Sequence, residues 1–255
     1  MRIIETHCHL DYLKAQPLEE TLRLASDVGV EKFITIGVDP QNLDGVLAIA
    51  EANASVYFSQ GIHPHDSKEA TEVEWEKIRS RAAHPKMVAV GEIGLDYYYN
   101  NSPPDVQKAA FRKQLEIAVS VNKPIIIHSR DSDDDMIAFL REFGPKLVRK
   151  GVVHSFSSGL ALAQAALDCG FYLGFNGMIT FPKAENVRDA VRMCSVDRIL
   201  TETDSPFLTP VPHRGKENAP HQLPHVLAKL AELKQIPLEV MAQAACKNAH
   251  DLFNF

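Results

Sequence analysis

The chain has 255 residues, 45% hydrophobic and 24% charged, and its 27 Lys and Arg against 33 Asp and Glu leave a net charge of −6. This is the composition of a globular protein with a large core, and the acidic balance excludes a basic footprint for drawing in nucleic acid from a distance. No run of eighteen apolar residues and no basic leader with a long apolar stretch occurs, so a soluble cytoplasmic protein is expected, with no membrane partner and one domain over residues 1–255.

The first predicted strand is Ile3-Ile4, running into "ETHCHLD". The second is Phe33–Ile36, after which Pro40 behind Asp39 marks a helix start and Leu43, Val46, Leu47 and Ala50 form a helical stripe. Strands follow at Val56–Phe58 and Val88–Val90. Pro103-Pro104 after Ser102 then opens a helix whose stripe is Phe111, Leu115, Ala118 and Val119. The remaining strands are Ile125–Ile127, Val152-Val153, Phe171–Leu173 and Ile199-Leu200, and two helical patterns close the chain, at Leu223 to Leu230 and Leu238 to Leu252.

Eight short strands alternating with helices, each too uniformly apolar for one-sided burial, predict an α/β protein with a parallel sheet covered on both faces. The expected architecture is a (β/α)8 TIM barrel with an extra C-terminal helix. An open doubly wound sheet is the rival, but it normally carries a glycine-rich loop after its first strand, and Thr6 to Leu13 contains no glycine. Cys8, Cys169, Cys194 and Cys246 form no C-x-x-C pair, which argues against a disulfide framework and a zinc knuckle.

Barrel chemistry sits at the C-terminal ends of the strands. There the chain places His7 and His9, His63 and His65, Glu92, His128, His154, and Glu202 with Asp204. Side chains alternate along a strand, so His7 and His9 share a side while Cys8 points away, and the pair can grip one ion. Imidazoles and carboxylates without thiolates suit zinc, manganese or magnesium, and the donor types alone do not choose among them. Even four of these histidines with two of the carboxylates exceed the needs of one tetrahedral ion. Two ions about 3.5 to 4 Å apart, sharing a carboxylate, would use them all.

The stretches "THCHLD", "GIHPHD", "VGEIGLDYY", "FRKQLEIA", "PIIIHSRD", "HSFSSG", "GFYLGFNG", "TETDSPFLTP", "RGKEN" and "NAHDLF" together resemble the TatD family of metal-dependent deoxyribonucleases, nearly end to end. The resemblance implies two divalent ions near His7, His9, Glu92, His128, His154 and Asp204, with Glu92 as the bridge. It also implies DNA as substrate, cut from the 3′ end of single strands by an activated water. Three departures from the family pattern stand out: Glu5 where an aspartate is usual, Ser155 in "HSFSSG", and Ala219 in place of a carboxylate.

Within that reading Asp204 is both ligand and general base, and Glu202 orients a ligand rather than serving as one. For Asp204 the alternative of an N-cap or turn residue before Pro206 stays open. His63 contacts a substrate phosphate or a water on the ions, or else is held by local hydrogen bonds. Arg130 either forks onto a phosphate or pairs with Asp131 or Asp133. Arg214 and Lys216 either hold DNA phosphates or are solvated. The tyrosines at 97 to 99 offer a stacking platform for unpaired bases or simply cover the rim. Asp131 to Asp135 reads as a solvated helix start. A monomer is favoured, and the same centre serving as a deacylase of aminoacyl-tRNA or of a small amide or ester is the second functional reading.

Overall fold

The computed structural model describes all 255 residues. Eight parallel strands, each hydrogen-bonded to the next in chain order, run as β1 (Ile3–Cys8), β2 (Val30–Gly37), β3 (Val56–Gln60), β4 (Met87–Asp96), β5 (Ile125–Arg130), β6 (Gly151–Val153), β7 (Tyr172–Phe175) and β8 (Ile199–Thr201). Between and after them lie α1 (Leu18–Asp27), α2 (Leu43–Ala52), α3 (Glu72–Arg81), α4 (Pro104–Val121), α5 (Asp133–Phe143), α6 (Leu160–Asp168), α7 (Glu185–Met193), α8 (Leu223–Lys234) and α9 (Leu238–Phe253). This is a (β/α)8 barrel, and α9 is its additional C-terminal helix.

The alternation along each strand sorts its side chains into two cores. Ile3, Phe33, Phe58, Val90 and Ile127 face outward and pack beneath the helices, while Ile4, Ile34, Ile36, Ile126, Val152 and Leu200 form the smaller cluster inside the barrel. Helix α9 lays Ala249, Leu252 and Phe253 against that interior cluster. Asn248 Nδ2 fixes it there, donating to the carbonyls of Val196 and Ile199 at the start of β8. Each fully buried Ile or Phe contributes about 1.5–3 kcal/mol. No helix is long and apolar enough to cross a membrane.

Pro104 opens α4 as its first residue, as the sequence indicates, and Asn122 ends that helix with a left-handed φ of 53°. Pro40 does not open α2, which begins three residues later at Leu43. The Asp39 carboxylate accepts from the N–H groups of Gln41 and Asn42, and this side-chain turn absorbs Pro40 before the helix starts.

The barrel closes where β8 meets β1, and much of that seam is made by side chains. Thr6 Oγ1 donates to the Thr201 carbonyl, Asp204 N–H to the His7 carbonyl, and His9 N–H to the Ser205 carbonyl. Glu5, fully buried, accepts from the N–H groups of His7 and Thr203 at 3.0 Å each. Burial pushes the Glu5 carboxyl up to about 8, against the hydrogen bonds from Thr203 and His7.

A carboxyl with a raised folded pKa binds its proton more tightly folded than unfolded, so it removes stability as pH rises from about 4.5 to 8. Urea unfolding of the metal-free protein should therefore show wild type weakening across that window, while Glu5→Gln stays flatter. Glu5→Ala leaves two buried N–H groups without acceptors and should cost about 1–3 kcal/mol for each. Equal pH slopes for wild type and Glu5→Gln would refute this account.

Candidate metal centre

The residues singled out at the strand ends converge at one mouth of the barrel. His7 lies within β1 and His9 just beyond it, His63 follows β3, Glu92 lies within β4, His128 within β5, and His154 directly after β6. Asp204 follows β8 in a left-handed backbone with φ of 56°, held by its N–H bond to His7. All but the fully buried His7 line a cleft of about 1500 Å³.

Glu92 stands in the middle. Its Oε2 lies 3.4 Å from His7 Nε2, while its Oε1 lies 3.0 Å from His128 Nδ1, 2.7 Å from His154 Nε2 and 3.5 Å from His63 Nε2. Asp204 Oδ1 lies 3.7 Å from His7 Nε2 and 3.6 Å from His9 Nε2. The rings of His7 and His154 stack with centroids 3.8 Å apart. His63 is held by a local hydrogen bond, with Nδ1 accepting from the His65 N–H, and its Nε2 is turned toward Glu92.

Glu202 acts on His154 from behind. Its Oε1 accepts from the Ser155 N–H at 2.5 Å and lies 3.5 Å from His154 Nδ1. Gly174 makes room for it, since a Cβ there would come within 2.6 Å of Glu202 Oε2.

Asp96 is the residue that sequence reasoning missed. It ends β4, is fully buried, and its Oδ2 accepts from both His65 Nε2 and His128 Nε2 at 3.0 Å. The apolar run that marks this strand in the sequence is Val88–Val90, and Asp96 lies six residues beyond its end. Gly94 lets β4 continue: its φ is 149°, and a Cβ would strike the His128 carbonyl oxygen of the neighbouring strand. The two carboxylates in "GEIGLD" could have been read as a pair on one side of a single longer strand.

Other expectations are redistributed. Arg130 pairs with neither Asp131 nor Asp133; its guanidinium lies 4.0 Å from the Tyr98 ring centroid and 4.9 Å from that of Tyr99. Asp135 is not merely solvated, since it accepts from Tyr97 Oη and Lys108 Nζ. Arg214 stands outside the cleft, 3.9 Å over the Phe181 ring with Nη1 donating to the Thr209 carbonyl, and Lys216 does not line the cleft either.

The cluster has the chemistry of a cation site. Buried imidazole nitrogens normally find partners, yet both nitrogens of His7, Nδ1 of His9 and Nδ1 of His154 have none. His7, His9 and Asp204 bring ligand atoms within 4.8 Å of one another, as do His63, Glu92 and His128. Nitrogen and carboxylate donors so placed fit a divalent cation.

The family described as "TatD related DNase" matches residues 4–254. The chain belongs to the TatD family. It is 38% identical to the metal-dependent hydrolase YabD of Bacillus subtilis, over 98% of each chain. It is also 38% identical to the metal-dependent hydrolase YcfH of Escherichia coli, over 100% of this chain and 96% of the relative. The crystal structure of YjjV, a TatD homolog from Escherichia coli, superposes with a TM-score of 0.93 at 34% identity, covering 100% of this chain and 98% of the other. The protein is a TatD-family metal-dependent hydrolase.

Without cations, this TatD-family centre is a set of ion pairs. Burial alone would raise Glu92, but the charges of His154 and His63 hold it well below the carboxylate range. Burial likewise opposes charge on His154 and His128, and their carboxylate partners outweigh it, raising both above the usual imidazole value. A cation needs those nitrogens free of protons. Metal uptake near neutral pH should therefore release protons, and affinity should weaken as pH falls. Calorimetric titration in two buffers of different ionisation enthalpy measures this, and identical heats in both would overturn it.

Proposed function

We propose that this hydrolase cleaves DNA phosphodiester bonds from the 3′ end of single strands, using two divalent cations held on either side of Glu92. The observation that carries this reading is the division of the Glu92 carboxylate, with Oε2 turned to His7 and Oε1 to His128 and His154. His7, His9 and Asp204 would hold one cation and His128 and His154 the other. Bound there, the cations supply Lewis acidity that makes a water nucleophilic near neutral pH and neutralises charge on the phosphate.

The remaining work falls to the chain itself. Burial opposes ionisation of Asp204, but the nearby His9 and His7 outweigh it, so the carboxylate stays charged and accepts the proton of the attacking water at Oδ1. His63 presents Nε2 to a phosphate oxygen. Arg130, with no carboxylate partner, offers its N–H groups to a neighbouring phosphate, and the exposed Tyr98 and Tyr99 beneath it give unpaired bases a face to stack on. Glu202 and Asp96 hold His154 and His128 in place. Four free cysteines fit a reducing compartment and support a cytoplasmic location.

One observation favours the second reading. Arg130 is the one Lys or Arg lining the cleft, against Asp66, Asp131, Asp133, Asp134 and Asp135 outside the centre itself. Such a wall repels a polyanion and attracts an ammonium group, as on an aminoacyl ester. An end-labelled single strand and an aminoacyl ester, each incubated with protein and Mn²⁺, Mg²⁺ or Zn²⁺, separate the two. Stepwise shortening of the strand supports the nuclease, and an intact strand beside a cleaved ester supports the deacylase. Glu92→Ala in parallel excludes a contaminating enzyme.

A further inference from the structure

A second group of histidines gathers away from the barrel mouth. His213 lies in the segment after β8, His221 in a 3-10 turn (Pro220–Gln222), and His225 in the first turn of α8. Nε2 of His213 and Nε2 of His225 face each other at 3.2 Å, with ring centroids 4.9 Å apart and planes at 60°. His221 precedes His225 by four residues, and its Nδ1 is buried without a hydrogen-bond partner. All three rings are half-buried, and none lines the cleft.

Two imidazole nitrogens this close have two uses. One ring can donate to the other, or both lone pairs can converge on a cation. Zinc–nitrogen bonds of about 2.0–2.1 Å at the tetrahedral angle set two ligand nitrogens about 3.3 Å apart, close to the separation here. No carboxylate forms an ion pair with His213, His221 or His225. A set of imidazoles alone suits zinc, cobalt, nickel or copper and disfavours magnesium and manganese, which prefer oxygen. Burial and the nearness of the other rings lower the pKa of His221 and His225, which keeps their nitrogens available at neutral pH.

We propose that His213 and His225 form a peripheral site for a zinc-type divalent cation, with His221 joining as third ligand by rotation of its side chain. The site is separate from the catalytic centre and takes no part in hydrolysis. Its effect is mechanical. A cation there ties the long segment after β8 to the first turn of α8, and that segment carries Phe207 and Leu208, which line the cleft. The Phe207 ring lies 6.0 Å from that of His9, so the tether steadies one wall beside the catalytic histidines.

The test compares wild type with His213→Gln and His225→Gln, each equilibrated with Zn²⁺, desalted and analysed for metal. Wild type should hold one more zinc per chain than either variant. Trypsin supplies a second readout, because Arg214 and Lys216 are exposed within the tethered segment. If cleavage there requires local opening, zinc at ten times its dissociation constant should slow it about tenfold in wild type and leave both variants unaffected. Matching thermal unfolding of the three metal-free proteins excludes misfolding as the cause. Equal zinc content in all three overturns the site, whatever the cleavage rates, and identifies the pair as an ordinary hydrogen bond between rings.

Discussion

Replacing Asp204 by Asn is expected to lower kcat about 10²–10⁴-fold while KM stays within a few-fold of wild type. The amide keeps the size of the carboxylate and its place beside His7 and His9, so the cleft keeps its shape. It loses the capacity to take a proton and the charge that faces both rings. An effect confined to proton acceptance appears only once substrate is bound, so it falls on turnover. Steady-state kinetics on whichever substrate proves active, with metal content measured alongside, checks this. A variant that keeps full turnover, or loses only substrate affinity, removes Asp204 from the role of general base.

Glu92→Ala should do more, because it acts on the site's composition. Four histidines, His7, His63, His128 and His154, have a nitrogen within 3.5 Å of this one carboxylate. Its loss should empty at least one cation position and raise the barrier by several kcal/mol, which is about 10³-fold or more in rate. Like-charged imidazoles without their carboxylate should also shed protons, so the metal-free variant should titrate more of its histidines below neutrality than wild type does. Metal analysis and histidine NMR titration read these separately. Retention of a full metal complement with unchanged activity would overturn the bridging role.

Strand existence and order were legible because eight β-branched runs alternate with helical stripes, and a parallel sheet buried on both faces demands that pattern. His128 and His154 could be placed because each follows directly on such a run, and His7 and His9 because they lie a few residues beyond Ile3-Ile4 on one side of the extended chain. Asp96 was lost for a local reason: Gly94 interrupts the apolar pattern, and only the close approach of β5 explains why glycine is needed there. Arg130 and Arg214 show a different limit. Sequence supplies their charge, but whether a guanidinium meets a carboxylate, a phosphate or an aromatic face depends on loops whose paths periodicity does not specify. Glu5 reads in the sequence as an aspartate one methylene too long, and its task of joining β1 to β8 becomes visible only when residues 198 positions apart are brought together.

That join also sets when the protein can become active during synthesis. His7 and His9 are synthesised well before the residues they meet, since Asp204 and the Thr203 N–H that Glu5 binds, 198 positions beyond Glu5, come much later. A truncated or still-growing polypeptide therefore carries the imidazoles without the carboxylate that completes them. Under the proposed function, hydrolytic competence waits until β8 has been made and joined to β1.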